Sequence, residues 1–390
     1  MMKKMTSSLI PPPGSSPLVS VQWAKEKLAA SMAASATASS PAGTTSTRDA
    51  PTLVFVDATW YLPNSPFACP FAAESAKSLY QNFNRIVPNS AFLDLDECAD
   101  EKSELPHMMP SRDVFENYMR SLNISTEDSI VCYDRHGLFS AARAWYMLRF
   151  FGHRNTFVLD GGLPEWVEAG GDVAEGSVAG TTARTTGTTV AKPVEEYTTV
   201  GGTTSSAEQT NAEKENKSVA SLADIQEITS CTTDEQERTS LQDTTTILDA
   251  RPAGRFTGEA AEPRAGMRSG HIPNSTNVPF LELLDVRDHE EATTTSTKDG
   301  LKMISSAPTK RTKLKSPGEL KKIFNTKNVD VEKPFVVTCG SGMTACIVAL
   351  AAEVVCAHEG KAKPTVSLFD GSWLEYEKSG LPVATSTSNS

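Results

Sequence analysis

The sequence predicts an α/β fold built twice over, and three observations predict it. At 390 residues the chain exceeds the usual single-domain range. Its two halves carry the same series of sequence anchors in the same order. The strands among these anchors are short and apolar, without polar alternation, and helical patterns lie between them. That combination indicates a mainly parallel sheet flanked by helices in each half.

The first anchor is LVFVDATW at 53–60, matched by TILDARPAG at 246–254; each is an apolar strand ending in an Asp-Ala pair. RIVPNSAFLDL at 85–95 then matches GHIPNSTNVPF at 270–280. SIVCYDRHGLFSAARAW at 129–145 matches PFVVTCGSGMTACIVAL at 334–350, a buried strand followed by a turn and an apolar helix. VLDGGLPEW at 158–166 closes the series against LFDGSWLEY at 368–376. Between the anchors lie stretches too poor in apolar residues to offset the entropy of ordering: 30–50, about 176–218 and about 287–315. These are expected to be loops or linkers. The expected organisation is a tail over 1–17, a first domain over 18–175 with an insertion at 30–50, a linker over 176–218, and a second domain over 219–385 with an insertion at about 287–315.

Composition excludes several classes. A net charge of −11 argues against binding nucleic acid phosphates. No apolar run approaches the roughly 18 residues of a membrane span. The seven cysteines are an odd number without a CxxC pair, which favours a reducing compartment and a free thiol over a disulfide framework or a zinc site. The N-terminus, MMKKMTSSLIPPPGSS, lacks an apolar core for secretion, and Pro11, Pro12 and Pro13 would break a targeting helix. Cytoplasm and mitochondrion both stay open.

The chemistry is expected in the second half. There the strand PFVVT runs into Cys339-Gly340-Ser341-Gly342-Met343-Thr344-Ala345, which opens the next helix. The carboxyl end of a parallel strand is where ligands bind in open α/β sheets. Gly340 and Gly342 let the backbone curl so that its N–H groups point inward, and the helix N-terminus adds its positive end. Such settings lower a thiol pKa from about 8.5 into the range of roughly 3.5–7.5. Cys339 is therefore the candidate nucleophile, while Cys346 and Cys356 sit on the apolar helix and are expected in the core. The matching loop of the first half, Asp134-Arg135-His136-Gly137-Leu138, has no cysteine. It is expected to be silent.

The CGSGMTAC run, the DGSW after the next strand, and the paired GHIPNS and VPNSAF segments resemble the tandem-rhodanese sulfurtransferases. Within them, the uncharged CGSG loop followed by TAC is similar to the 3-mercaptopyruvate sulfurtransferases; thiosulfate enzymes characteristically carry basic side chains there. Met343 stands where valine is usual, a change in packing under the loop that leaves the cradle intact. The resemblance implies transfer of sulfur from 3-mercaptopyruvate through a Cys339 persulfide to a thiol such as thioredoxin, or to cyanide, without cofactor or metal. It places the substrate arginines at Arg255 and Arg264 in GRFTGEAAEPRAG, beside Gly340, Gly342, Met343 and Thr344. Asp96, His107 and Ser341 are implied as a proton relay.

The rival readings are a thiosulfate:cyanide sulfurtransferase and a non-catalytic rhodanese-like binding module. A phosphatase of this fold needs Arg six residues after the cysteine, where Ala345 stands. Arg251 and Arg268 read as surface charge. Tyr133, Asp134 and Arg143 read as interdomain packing with a buried ion pair, and Trp60, Trp145, Trp166 and Trp373 as core or interface residues.

Overall fold

The structure, a computed structural model, describes residues 16–37, 52–62, 75–82, 85–86, 89–174, 218–230, 245–264, 266–289 and 309–385. The expected tail, except for its last two residues, and the linker to residue 217 lie outside them.

In the first half, β1 (Leu18–Val19) leads into α1 (Val21–Thr37), and β2 (Leu53–Asp57) into α2 (Ala76–Asn82). There follow β3 (Arg85–Ile86), β4 (Ser90–Phe92), α3 (Arg112–Ser121), β5 (Ser129–Tyr133), α4 (Ala141–Phe150), β6 (Thr156–Leu159), α5 (Gly162–Glu168) and β7 (Val173–Ala174). The second half comprises β8 (Val219–Ala220), α6 (Leu222–Thr229), β9 (Thr246–Asp249), α7 (Ala253–Thr257), β10 (Thr276–Asn277) and a 3-10 turn at Phe280–Leu283. It continues with β11 (Leu284–His289), β12 (Thr309–Leu314), α8 (Pro317–Thr326), β13 (Phe335–Thr338), α9 (Ala345–His358), β14 (Val366–Phe369) and α10 (Ser372–Lys378).

Each half has one five-stranded parallel sheet, ordered β4-β2-β5-β6-β1 and β10-β9-β13-β14-β8. The two paths are identical, strand for strand. Alternate strand residues enter different cores, which is why the strands show no polar alternation. Val54, Val56, Ile130 and Cys132 point to one core, whereas Leu53, Phe55, Val131 and Tyr133 point to another. Tyr133 thus packs within the first half rather than across the interface. In the second half Leu248 and Val337 join the first core, and Ile247 and Val336 form a third. That first core runs through both halves by way of α4 and α9, so the halves share a buried seam. Among the described residues, no helix is long and apolar enough to cross a membrane.

Two stretches expected as loops carry structure. Residues 30–37 extend α1, because an alanine-rich segment has high helix propensity, and the Ser31 hydroxyl accepts from the Leu53 N–H. The expected insertion at about 287–315 is flanked by an antiparallel ribbon of β11 and β12. Its β12 end alternates half-buried Arg311 and Lys313 with buried Thr312 and Leu314, a period-two pattern masked by the polar composition around it.

Candidate active site

The loop after β13 is braced by the start of α10. The Cys339 N–H donates to Ser372 Oγ at 3.1 Å, and the Cys339 carbonyl accepts from the Trp373 N–H at 3.0 Å. Gly342 has φ of +78°, and a Cβ there would lie 2.7 Å from the Asp370 carbonyl oxygen, so only glycine fits. Gly340 is not in the left-handed region. Its missing side chain instead makes room for Arg255, whose Nη2 would be 3.2 Å from a Cβ at that position. No described residue accepts a hydrogen bond from the amides of Gly340, Ser341, Gly342, Met343 or Thr344. Cys339 is 2% exposed, and Gly340 and Ser341 after it are half-buried. Met343 is buried in the core.

The other described cysteines are inert by environment. Burial pushes the Cys98 and Cys346 thiols up to about 12 and raises those of Cys132 and Cys356 as well. All four are thiols at neutral pH. Cys69 and Cys231 lie outside the described residues.

Beside the loop runs a chain of alternating charges. Arg255 donates from Nε to Glu262 Oε2 at 3.0 Å and again from Nη2. The other Glu262 oxygen accepts from Arg251 Nη1 at 2.9 Å, and Arg251 forks onto Asp249. Arg251 is 1% exposed, which corrects its reading as surface charge. Two carboxylates and the Trp373 ring, 4.2 Å from its guanidinium carbon, repay its desolvation. Arg268 is half exposed and pairs with Glu377, as a surface arginine does. Arg264 is exposed and makes no hydrogen bond or ion pair with a described residue. The structure therefore brings Arg255 to the loop, while Arg264 stands exposed to solvent.

Asp96 and His107 meet as expected. His107 Nδ1 lies 2.5 Å from Asp96 Oδ1, and the second carboxylate oxygen accepts from the Trp60 indole Nε1 at 3.0 Å. Burial works against the Asp96 carboxylate, but the His107 contact and the Trp60 hydrogen bond outweigh it and hold its pKa below the usual value. His107 Nε2 is buried without an acceptor or donor among the described residues. Trp60, expected only as core or interface, is thus part of this pair's setting, packing its ring edge-on against His107. No hydrogen bond joins Ser341 to His107. Arg143 bridges the two loops instead: from α4 it donates to the His107 carbonyl, to the Gly342 carbonyl at 3.4 Å and to Asp370 Oδ1 at 2.5 Å. Asp370 also accepts from the Met109 N–H at 2.6 Å. Arg143 is in a buried ion pair, but with Asp370 of the other half rather than within its own segment, the side chains 0% and 4% exposed. Asp134 has a different role. Its Oδ1 accepts from the His136 N–H at 2.9 Å, and its Oδ2 from Phe139, Ser140 and Ala141 at 2.7, 2.9 and 2.9 Å. Among the described residues no group of three or more His, Cys, Asp or Glu side chains is placed to hold a metal ion.

The family described as Rhodanese-like domain matches residues 74–169 and 232–379, once in each half. The chain is 33% identical over 367 residues to the 3-mercaptopyruvate sulfurtransferase of Rattus norvegicus, covering 94% of this chain and 93% of that protein. It is 33% identical over 342 residues to "Thiosulfate/3-mercaptopyruvate sulfurtransferase 1, mitochondrial" of Arabidopsis thaliana, covering 87% and 76%. The crystal structure of SseA from Escherichia coli, titled as a 3-mercaptopyruvate sulfotransferase with the rhodanese fold, superposes with a TM-score of 0.59. It has 27% identity and covers 92% of this chain and 99% of that one.

Proposed function

The chain belongs to the rhodanese-like sulfurtransferases, and from that premise we propose that it moves sulfur from 3-mercaptopyruvate through a Cys339 persulfide to a thiol. One observation carries the choice of nucleophile: Cys339 alone among the described cysteines sits at a strand-to-helix loop whose amides are unclaimed, with a guanidinium against it.

In the proposed cycle Arg255 holds the donor's carboxylate through parallel hydrogen bonds, with Arg264 closing over it from the exposed side. The Cys339 thiolate attacks the donor sulfur. The sulfur–carbon bond breaks, its electron pair becomes the enolate of pyruvate, and a proton delivered to carbon completes pyruvate. Ser341 and His107 form the proton path, with Asp96 and Trp60 fixing the imidazole. The outer sulfur of the persulfide then lies among the amides of Gly340–Thr344, which stabilise its charge. An acceptor thiolate, such as that of reduced thioredoxin, or cyanide attacks that sulfur and restores the Cys339 thiolate. The chain is placed in the cytoplasm or mitochondrion.

The test is the intact mass of the protein after incubation with 3-mercaptopyruvate. One added sulfur on the Cys339 peptide is expected, and none in Cys339→Ser with its far-UV spectrum and melting unchanged. Sulfur transfer retained by that variant would sink the assignment.

A further inference from the structure

We infer that Glu262 sets the charge of donor this site accepts, admitting monoanions and disfavouring dianions. The inference rests on the reading above that Arg255 holds the donor.

Glu262 is buried, its side chain 2% exposed, and both of its oxygens are occupied by arginines. It occupies the Nε–Nη2 edge of Arg255. A guanidinium has two edges suited to a carboxylate, and the Nη1–Nη2 edge is the one left. The buried chain Asp249, Arg251, Glu262, Arg255 contains two anions and two cations, so it brings no net charge to the loop. The loop from Cys339 to Thr344 has no ionisable side chain besides the cysteine itself. Among the buried side chains a donor thus meets one directed fork and no surplus net charge, while the charge of exposed Arg264 is screened by solvent. One carboxylate satisfies that fork. A dianion such as thiosulfate leaves its second charge uncompensated in a partly desolvated site beside the Cys339 thiolate, which repels it.

The experiment compares kcat/KM for thiosulfate and for 3-mercaptopyruvate, with cyanide as acceptor, in the full chain and in Glu262→Gln and Glu262→Asp. Glu262→Gln adds one positive charge beside the loop. The thiosulfate to 3-mercaptopyruvate ratio should rise on the order of tenfold, the size of one unit charge acting over several ångströms in a partly buried site. Glu262→Asp keeps the charge and should leave the ratio within about twofold, even where it slows both donors. A ratio unmoved in Glu262→Gln overturns the inference and leaves Glu262 a merely structural partner. Should Glu262→Gln not fold, competition in the unaltered protein decides. Pyruvate should compete with the donor while sulfate should not, and equal competition overturns the inference. Failure of the underlying reading shows separately, as an Arg255→Ala variant with unchanged kcat/KM for 3-mercaptopyruvate.

Discussion

The two halves build the same loop at the end of the same strand, after β5 in one and β13 in the other, and fill it differently. In the first half the Asp134 carboxylate takes four amide hydrogen bonds from its own loop and helix start. In the second half the residue at that place is Cys339, and the amides from Gly340 to Thr344 have no described acceptor. The frame is an anion nest in both cases. One copy holds a built-in carboxylate on its amides; in the other the amides are left without a described acceptor. The surroundings follow suit. The backbone of β12 lies across the first loop, with the Thr312 N–H donating to the His136 carbonyl at 2.9 Å and Thr312 Oγ1 accepting from the Leu138 N–H at 2.8 Å. The second loop is faced by Arg255 instead.

The sharpest way to break this comparison is to make the second loop like the first. Cys339→Asp should end sulfur loading, a loss on the order of 10³-fold or more in transfer rate, as for removal of a nucleophile. Yet it should leave the melting temperature unchanged or higher, because the new carboxylate finds the amides waiting. A large fall in melting temperature would show that the two nests are not equivalent. The reverse change is next in size. Asp134→Ala strands four buried N–H groups and should lower stability by about 3 kcal/mol or more in urea titration. The rate per folded molecule should barely move.

How much of this was legible beforehand depends on sequence distance. The repeat exposed both sheets and the paired loops that begin at Asp134 and Cys339, because strands and the turns after them are local patterns. Arg143 was readable as half of a buried pair, but its partner Asp370 lies 227 residues away, and no spacing rule reaches that far. Arg251 looked like surface charge because arginine usually is; the two carboxylates that permit its burial come from a strand end and from a loop 11 residues on. Trp60 and Asp96 are 36 residues apart and meet only because β2 and β4 are paired neighbours in the sheet. The ribbon of β11 and β12 was hidden by composition, which averages over the four residues whose alternation makes it.

The breaking of the buried seam ranks after the loop exchanges as a test. Arg143→Met removes one side of a buried pair and leaves Asp370 uncompensated, which should cost about 3–5 kcal/mol. Because Arg143 also donates to the carbonyls of His107 and Gly342, the rate should fall along with stability. Asp134→Ala should not show that coupling. If Arg143→Met lost stability alone, the bridge between the two loops would be mere packing.

The smallest effect concerns acid, and it again separates the halves. Where the second loop has Ser341, the first has His136, which burial holds below the usual imidazole pKa despite the nearby Asp134 charge. His153, at the end of α4 and also in the first half, is pushed down to about 4 by burial. A histidine with a lowered folded pKa binds fewer protons folded than unfolded, so its contribution is present above the unfolded value of 6.5 and is lost as pH falls from there toward 4. From pH 7 to pH 5, His153 should withdraw about 2 kcal/mol. Asp57, Asp94 and Asp160, raised chiefly by burial, act in the opposite sense, so a bare pH profile understates the effect. The comparison that isolates it is urea stability of the unaltered chain and of His153→Gln at both pH values. The difference between them should shrink by about 2 kcal/mol at the lower pH. Hydrogen exchange at pH 5 should then show amides of β5 and β6 opening before those of β13 and β14, and uniform opening would remove the acid asymmetry between the halves.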